Sequence, residues 1–298
     1  MGIYNFGSLN IDRIYSLEHF VLPEETVIAK SYKESFGGKG LNQSIAIARA
    51  GAKLHHIGVI GNDGEVLKKF LNKNGVNVDF IYREKVENGH AVIQVDSEGQ
   101  NCIIVNRGSN GCLSQNKIDS VINSVRSCDI VILQNEVSNV EYIIKKVRER
   151  GAYIILNPSP IDEKLLNSNL KNVNLFILNE IEAKWLCRYF ENDLFGLKKE
   201  LLLKYPESDF LLTLGSEGSH YFNKDTDIKQ KSYDVEVVDT TGAGDTYCGY
   251  FVASLSKGYD IKECMNIASA ASALAITSFG AALSIPNFEE VKKFIKKY

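Results

Sequence analysis

The chain has no stretch near the ~18 uninterrupted apolar residues that a membrane-crossing helix requires. No cationic leader with an apolar run opens it, since MGIYNFGSLNIDRIY carries Asn, Asp and Arg. Phe6 stands where a myristoylation signal needs Ser or Thr. Five prolines are too few for a Pro-rich spacer, and no repeat or low-complexity tract appears. The six cysteines (102, 112, 128, 187, 248 and 264) contain no C-x-x-C pair. Their expected state is that of small buried thiols in a reducing compartment. An excess of one charge is missing too: Lys+Arg 34 against Asp+Glu 37 gives −3, no electrostatic footing for nucleic acid or an anionic membrane. The five histidines (19, 55, 56, 90 and 220) lack metal-ligand spacing, and His55-His56 on a strand point to opposite faces. There is no G-x-S-x-G elbow, and no G-x-G-x-x-G joins the first strand to a helix. The expectation left standing is a cytosolic, globular chain that binds neither nucleic acid nor membrane.

What the 298 residues do contain is alternation of short apolar runs with amphipathic segments, at 44% hydrophobic residues overall. Ile130–Leu133, Tyr153–Leu156, Leu175–Leu178 and Phe210–Leu214 are apolar on successive residues, as strands buried on both faces are. Val140–Arg150 between them reads as a helix. Such alternation predicts an α/β fold with a doubly wound, mostly parallel sheet. From Thr246 onward the pattern is mostly helical. Two segments, 13–36 and 88–107, alternate as half-exposed strands do, the second as a hairpin turning at Asp96–Gly99. They predict a small β-sheet projecting from one 1–298 domain, bare on one face and in need of a cover.

Four segments carry candidate chemistry. Val238-Asp239-Thr240-Thr241-Gly242-Ala243-Gly244-Asp245-Thr246 follows the strand-like run Tyr233–Val238 and opens a helix. Its glycines let backbone N–H groups converge at a helix start, a ready anion site. Asp245 beside that site suits removal of a hydroxyl proton next to a phosphate, although a glycine-rich turn with an Asp cap explains the same letters. Phe36-Gly37-Gly38-Lys39-Gly40-Leu41-Asn42-Gln43 is not a P-loop, because Gly40 follows the lysine. It reads as a loop that approaches a small polar ligand, with Asn42 either hydrogen-bonding a sugar diol or capping the helix Asn42–Ala50. Gly7-Ser8-Leu9-Asn10-Ile11-Asp12 ends the first strand, where ligands of open α/β sheets bind; Asp12 there reads as a hydroxyl acceptor or as an Asx-turn. Glu136 holds the equivalent place after another strand, and Ser138 with Glu141 would form the capping box of the next helix, leaving Glu136 free for a ligand. Asn179-Glu180-Ile181-Glu182 is itself a capping-box pattern, with an alternative role near phosphates and hydrated Mg²⁺. Thr213–Gly218 ends a buried strand and reads as the wall of a nucleotide cleft or as a plain turn.

Taken together, GSLNID, FGGKGLNQ, NPSP, LNEIEA, LTLGSEG, DTTGAGDTYCGYF and GAALSIP resemble the ribokinase-like carbohydrate kinase family (the phosphofructokinase B type), its ribokinase branch most closely, over nearly the whole chain. The resemblance implies a lid made by the small sheet and transfer of the γ-phosphoryl of ATP to a sugar's primary hydroxyl. Asp245 is then the base, with the Gly242, Ala243, Gly244 and Asp245 amides as anion hole. Asp12, Gly38, Lys39, Asn42 and Glu136 become sugar contacts. Asn179, Thr213, Gly215, Ser216, Gly218, Gly244 and Ser269 fall on the nucleotide side, and Glu182 on Mg²⁺ through water. A monovalent cation, K⁺ or similar, falls to Asp239, Thr241, Ala275, Ser278, Gly280 and Ser284. The chain departs from the family at Ala282-Leu283, where Gln-Pro or Asn-Pro is common, and at Leu178, where proline is. It also lacks the basic residue frequent near Ser278. The expected acceptor is D-ribose, bracketed by Asp12 and Glu136. Another pentose or hexose, or a nucleoside, stays open, as more distantly does a non-catalytic sugar sensor. The expected assembly is a homodimer joined through the lids.

Overall fold

The computed structural model describes residues 1–298. In chain order its strands are β1 (Ile3–Phe6), β2 (Asn10–Ser16), β3 (Ser31–Gly37), β4 (Leu54–Ile60), β5 (Ile81–Arg83), β6 (Gly89–Val95) and β7 (Asn101–Asn106), then β8 (Ile130–Gln134), β9 (Tyr153–Asn157), β10 (Leu175–Asn179), β11 (Asp209–Thr213), β12 (Ser219–Phe222) and β13 (Asp227–Gln230). Nine of them form one sheet in the order β13-β12-β11-β10-β9-β8-β1-β4-β5, and β3-β2-β6-β7 form a second. Every pairing from β11 to β5 is parallel, and only β12 and β13 add on antiparallel. The doubly wound α/β fold is therefore as the sequence predicts.

Successive apolar residues of the central strands serve two separate layers. Ile130 and Ile132 of β8 pack with Leu41 and Ile45 of helix Lys39–Arg49 and with Tyr250 and Phe251 of helix Ala243–Ser256. Val131 and Leu133 pack on the opposite face, with Ile143 and Val147 of helix Val140–Glu149. Each such side chain withdrawn from water contributes roughly 1.5–3 kcal/mol, which explains why the runs tolerate no polar alternation. The sheet's order reverses at β1, which has β4 on one side and β8 on the other. That switch point, outside the carboxyl ends of the strands, is where an α/β sheet leaves a crevice. No helix is long and apolar enough to cross a membrane.

Several local expectations fail for identifiable reasons. Tyr233–Val238 is not a strand, because the chain leaves the sheet after β13 and lays Tyr233 on Phe294 and Tyr298 (ring centroids 5.1 and 5.4 Å) instead of on another strand. Ser138 and Glu141 form no capping box: Asn139 precedes the helix in the left-handed region, Ser138 donates to the Leu113 carbonyl, and Glu141 accepts from the Asn169 amide. The helix expected at Asn42–Ala50 begins at Lys39, so Asn42 lies inside it and cannot cap it. Only Cys248 and Cys264 are buried, while Cys102 and Cys128 are exposed, so the expectation of six buried thiols is wrong. The outer strand β7 is exposed on both faces, with no alternation in burial.

Candidate active site

Helix Ala243–Ser256 packs tightly on helix Lys39–Arg49 because residue 249 is glycine. A Cβ there would sit 2.4 Å from the Ala46 Cβ and 2.8 Å from the Gln43 carbonyl. The close crossing brings Asp245, in the first turn of the later helix, against the side chains of Asn42 and Gln43. Asp245 is buried; its Oδ2 accepts from Asn42 Nδ2 at 2.9 Å and its Oδ1 from Gln43 Nε2 at 3.0 Å. Asn42 thus keeps its amide nitrogen on Asp245, while its Oδ1 is buried without a partner.

The loop before Asp245 turns at Gly242, whose φ of +76° excludes most side chains and where a Cβ would sit 2.9 Å from the Ala281 Cβ. The Gly242 carbonyl accepts from both the amide and the hydroxyl of Thr246. Of the four amides expected to form an anion hole, those of Gly242, Gly244 and Asp245 donate to no group of the chain; that of Ala243 is given to the Thr240 carbonyl at 3.2 Å. Gly244 and Ala243 line a cleft of about 790 Å³, together with Asn179, Thr213, Gly215, Ser216, Gly218 and Ser269. All the residues expected on the nucleotide side therefore meet in one cavity. Its further walls, Tyr233, Val235, Val237 and Ile276, come from the segment that is not a strand and from a helix end, and no motif marks them.

On the other side of Asp245 stand Asp12, Lys39 and Glu136. Glu136 accepts from the Ser8 hydroxyl and from the Lys39 amide, the latter at 2.9 Å, so it ties β1 to the glycine-lysine loop. Burial raises its carboxyl above the usual range, against the pull of Ser8 and Lys39. Asp12 lies inside β2, not in an Asx-turn, and is raised to about 7 by burial and by the neighbouring charges of Glu136 and Asp245. The Lys39 ammonium makes no ion pair within 4.0 Å; burial works against its charge, but Asp245, Glu136 and Glu182 together hold its titration above the usual lysine range. Gly38, with φ +91°, precedes the helix and abuts Ser8 and Asn10.

Asn179 and Glu182 form the capping box read from the sequence: Asn179 accepts from the Glu182 amide at 2.8 Å and Glu182 from the Asn179 amide at 3.0 Å. Only Asn179 of the two lines the cleft; Glu182 faces a neighbouring hollow with Asp162 and Trp185. Asp239 accepts from the Thr241 amide and from the Gly280 amide, both at 2.9 Å, pinning the anion-hole loop to the late loop. Burial opposes its charge, but these donors outweigh it and hold the carboxyl below the usual range. Ala275 accepts from the Ser278 amide, whereas Ser278 and Ser284 line a separate cavity of about 570 Å³ with Arg49 and Glu290.

Behind Asp245 runs a chain of buried side-chain amides; Gln43 ends the FGGKGLNQ segment and Asn157 opens NPSP, but neither reads as a site residue from the sequence. Gln43 Oε1 accepts from Gln134 Nε2 at 2.6 Å, which also donates to Asn5 Oδ1 at 3.0 Å. Asn5 Nδ2 in turn donates to the Gly40 carbonyl and the Ser44 hydroxyl, and Ser44 meets Nδ1 of His56, whose titration burial lowers to about 3. The available signal was three consecutive polar residues, Asn42-Gln43-Ser44, set between the apolar Leu41 and Ile45–Ala48 of one helix.

The pfkB family carbohydrate kinase model matches residues 3–287. The chain belongs to this kinase family. It is accordingly an ATP-dependent carbohydrate kinase, and its relatives cover it end to end. The chain is 33% identical over 296 residues to a ribokinase of Bacillus subtilis, covering 97% of each. It is 27% identical over 302 residues to a deoxyribokinase of Salmonella typhi, covering 99% of each. The structure of an Arabidopsis thaliana ribokinase complexed with ribose and ATP superposes with a TM-score of 0.87 at 29% identity, covering 99% of this chain and 98% of that one.

Proposed function

We propose that this pfkB kinase transfers the γ-phosphoryl group of ATP to the 5-hydroxyl of D-ribose. The observation that carries the reading is the position of Asp245. The backbone just before it lines the cleft, while its carboxylate is hydrogen-bonded to Asn42 of the glycine-lysine helix. A sugar hydroxyl held there gives its proton to Asp245 as its oxygen bonds to phosphorus and the bond to the β-phosphate oxygen breaks, releasing ADP. The three unengaged amides at the helix start face the charge that develops on the transferred group, and the Lys39 ammonium adds a positive charge nearby.

The pocket's acceptors favour a polyhydroxylated ligand. Asn42 Oδ1 is a buried acceptor without a donor, and the carboxylate of half-buried Asp12 has no side-chain hydrogen bond within the chain. Buried polar atoms of this kind are satisfied by ligand hydroxyls at a gain of about 1–3 kcal/mol over leaving them unpaired. Deoxyribose is the competing acceptor, supported by the deoxyribokinase relative.

Glu182 would hold hydrated Mg²⁺: one of its oxygens is free of the capping box, and a lone carboxylate suits an ion that keeps waters and phosphate oxygens as its other ligands. Bound there, the ion supplies neutralisation of phosphate charge. Asp239, Thr241, Ala275, Ser278, Gly280 and Ser284 would hold a monovalent cation, a set of backbone oxygens and one carboxylate that suits potassium; the lining of the separate cavity by Ser278 and Ser284 weighs against all six meeting at one point. The small sheet, with Ile103, Ile104 and Val105 exposed along β7, is read as the lid and as the seam of a homodimer.

Initial rates of ADP formation with ribose, deoxyribose, fructose, adenosine and pseudouridine test the acceptor. Ribose should give the highest kcat/KM; a clearly higher value for a nucleoside or for deoxyribose rejects ribose as the substrate.

A further inference from the structure

We infer that Gln43 is a positioning residue for Asp245, the last link of a buried amide chain that fixes the direction in which the base presents its carboxylate. The inference rests on the reading of Asp245 as the base. Gln43 is fully buried and has only one usable orientation. Its Nε2 donates to Asp245 Oδ1 at 3.0 Å and to Asn157 Oδ1 at 3.3 Å, while its Oε1 takes the Gln134 amide at 2.6 Å. Reversing the amide would set an oxygen against a carboxylate and a nitrogen against a nitrogen.

Each neighbour is locked in turn. Asn157 Nδ2 donates to the Ile177 carbonyl at 2.9 Å, and Gln134, although its Oε1 has no partner, is held through Nε2, which also donates to Asn5 Oδ1 at 3.0 Å. Asn5 is anchored at 2.9 Å on the Gly40 carbonyl and at 2.8 Å on Ser44. Three of these amides stand on the rigid central strands: Asn5 on β1, Gln134 on β8 and Asn157 on β9. The chain therefore carries the rigidity of the sheet to a residue on a helix. Asn42, the other group on Asp245, has only this one partner and an empty acceptor, so it is free to turn toward a ligand. When it does, Gln43 is the side chain left holding Asp245.

Gln43→Met keeps the length and bulk of the side chain and removes its donor. It should lower kcat about 10- to 100-fold, the scale of a displaced catalytic group, with KM for sugar and for ATP within about threefold. The discriminating measurement is a double-mutant cycle with Asp245→Asn. A residue that works through the base has nothing to position once the base is gone, so Gln43→Met should then change kcat less than about twofold. Should Gln43→Met fail to fold in a melting experiment, Gln134→Met is put through the same cycle. It leaves Asp245 untouched and removes the anchor on Gln43 Oε1, loosening Gln43 without reversing it, and it should cost several-fold in kcat, again only while Asp245 is present. An unchanged kcat in the single variant, or an equal loss with and without Asp245, overturns the inference. If Asp245→Asn alone keeps its rate, the base assignment fails first and this inference with it.

Discussion

Replacing Asp245 with Asn removes a proton acceptor and disturbs little else, and the hydrogen bonds around it show why. Both carboxylate oxygens accept from side-chain amides, Asn42 at 2.9 Å and Gln43 at 3.0 Å, so an Asn at 245 must turn its own nitrogen toward one of them. Gln43 cannot reverse, because its oxygen already takes the Gln134 amide at 2.6 Å. Asn42 can, because its Oδ1 is unpartnered and would accept the new N–H. The bond count survives, and the loss is that of charge assistance, about 1 kcal/mol of stability. The barrier suffers far more. Without a general base kcat should fall about 10²–10⁴-fold, equivalent to roughly 2.7–5.5 kcal/mol. Sugar and ATP should still bind within about fivefold of wild type, a difference of about 1 kcal/mol, since Asp12, Lys39 and Glu136 remain. Steady-state ADP release gives kcat, and calorimetric titration of each ligand gives Kd without assuming that KM equals it. A variant keeping more than about a tenth of wild-type kcat refutes the base assignment, and one that binds neither ligand makes Asp245 a structural residue.

Three further outcomes follow from groups around the site. In the folded chain Asp12 titrates near 7, well above an unfolded aspartate, so the native state binds more protons between about pH 4 and 7 and loses stability as pH rises through that window. The gain in Tm of Asp12→Asn over wild type should therefore grow from near zero at pH 4 to a plateau above pH 7; a gain independent of pH contradicts this. Potassium should raise kcat more than sodium, and Asp239→Asn should abolish the difference; equal wild-type rates in potassium, sodium and tetramethylammonium argue that the cation site is absent. Light scattering at micromolar concentration should give twice the mass of one chain, and Ile104→Asp on the exposed face of β7 should halve it, whereas a wild-type monomer removes the lid-to-lid dimer.

What could be read from the sequence divides along physical lines. Runs such as Ile130–Leu133 declare a strand covered on both sides, because nothing but a two-layer environment tolerates apolar residues in succession. The turn at Gly242 was equally legible in its conformation, because a glycine that permits positive φ constrains the backbone there. Tyr233–Val238 misled because a β-branched apolar run records composition and not cover: only Tyr233 packs on Phe294 and Tyr298, while Val237 and Val238 stay exposed. Ser138 with Glu141 misled because the helix starts at Val140 with Asn139 before it in the left-handed region, which leaves Ser138 outside the capping position and Glu141 accepting from Asn169 instead. The amide chain behind Asp245 was illegible for a different reason. Asn5, Gln43, Gln134 and Asn157 lie on four separate elements and meet only through sheet order and the tight helix crossing at Gly249.

The central claim is that a sugar's primary hydroxyl, delivered to Asp245, becomes the acceptor of the phosphoryl group. Phosphorus NMR of the product formed from ATP and D-ribose tests it most directly. Coupling of the new phosphorus signal to the two protons on C5, identifying ribose 5-phosphate, is the result expected. Phosphorus coupled instead to the proton on C1, or release of inorganic phosphate with the sugar unchanged, would contradict it.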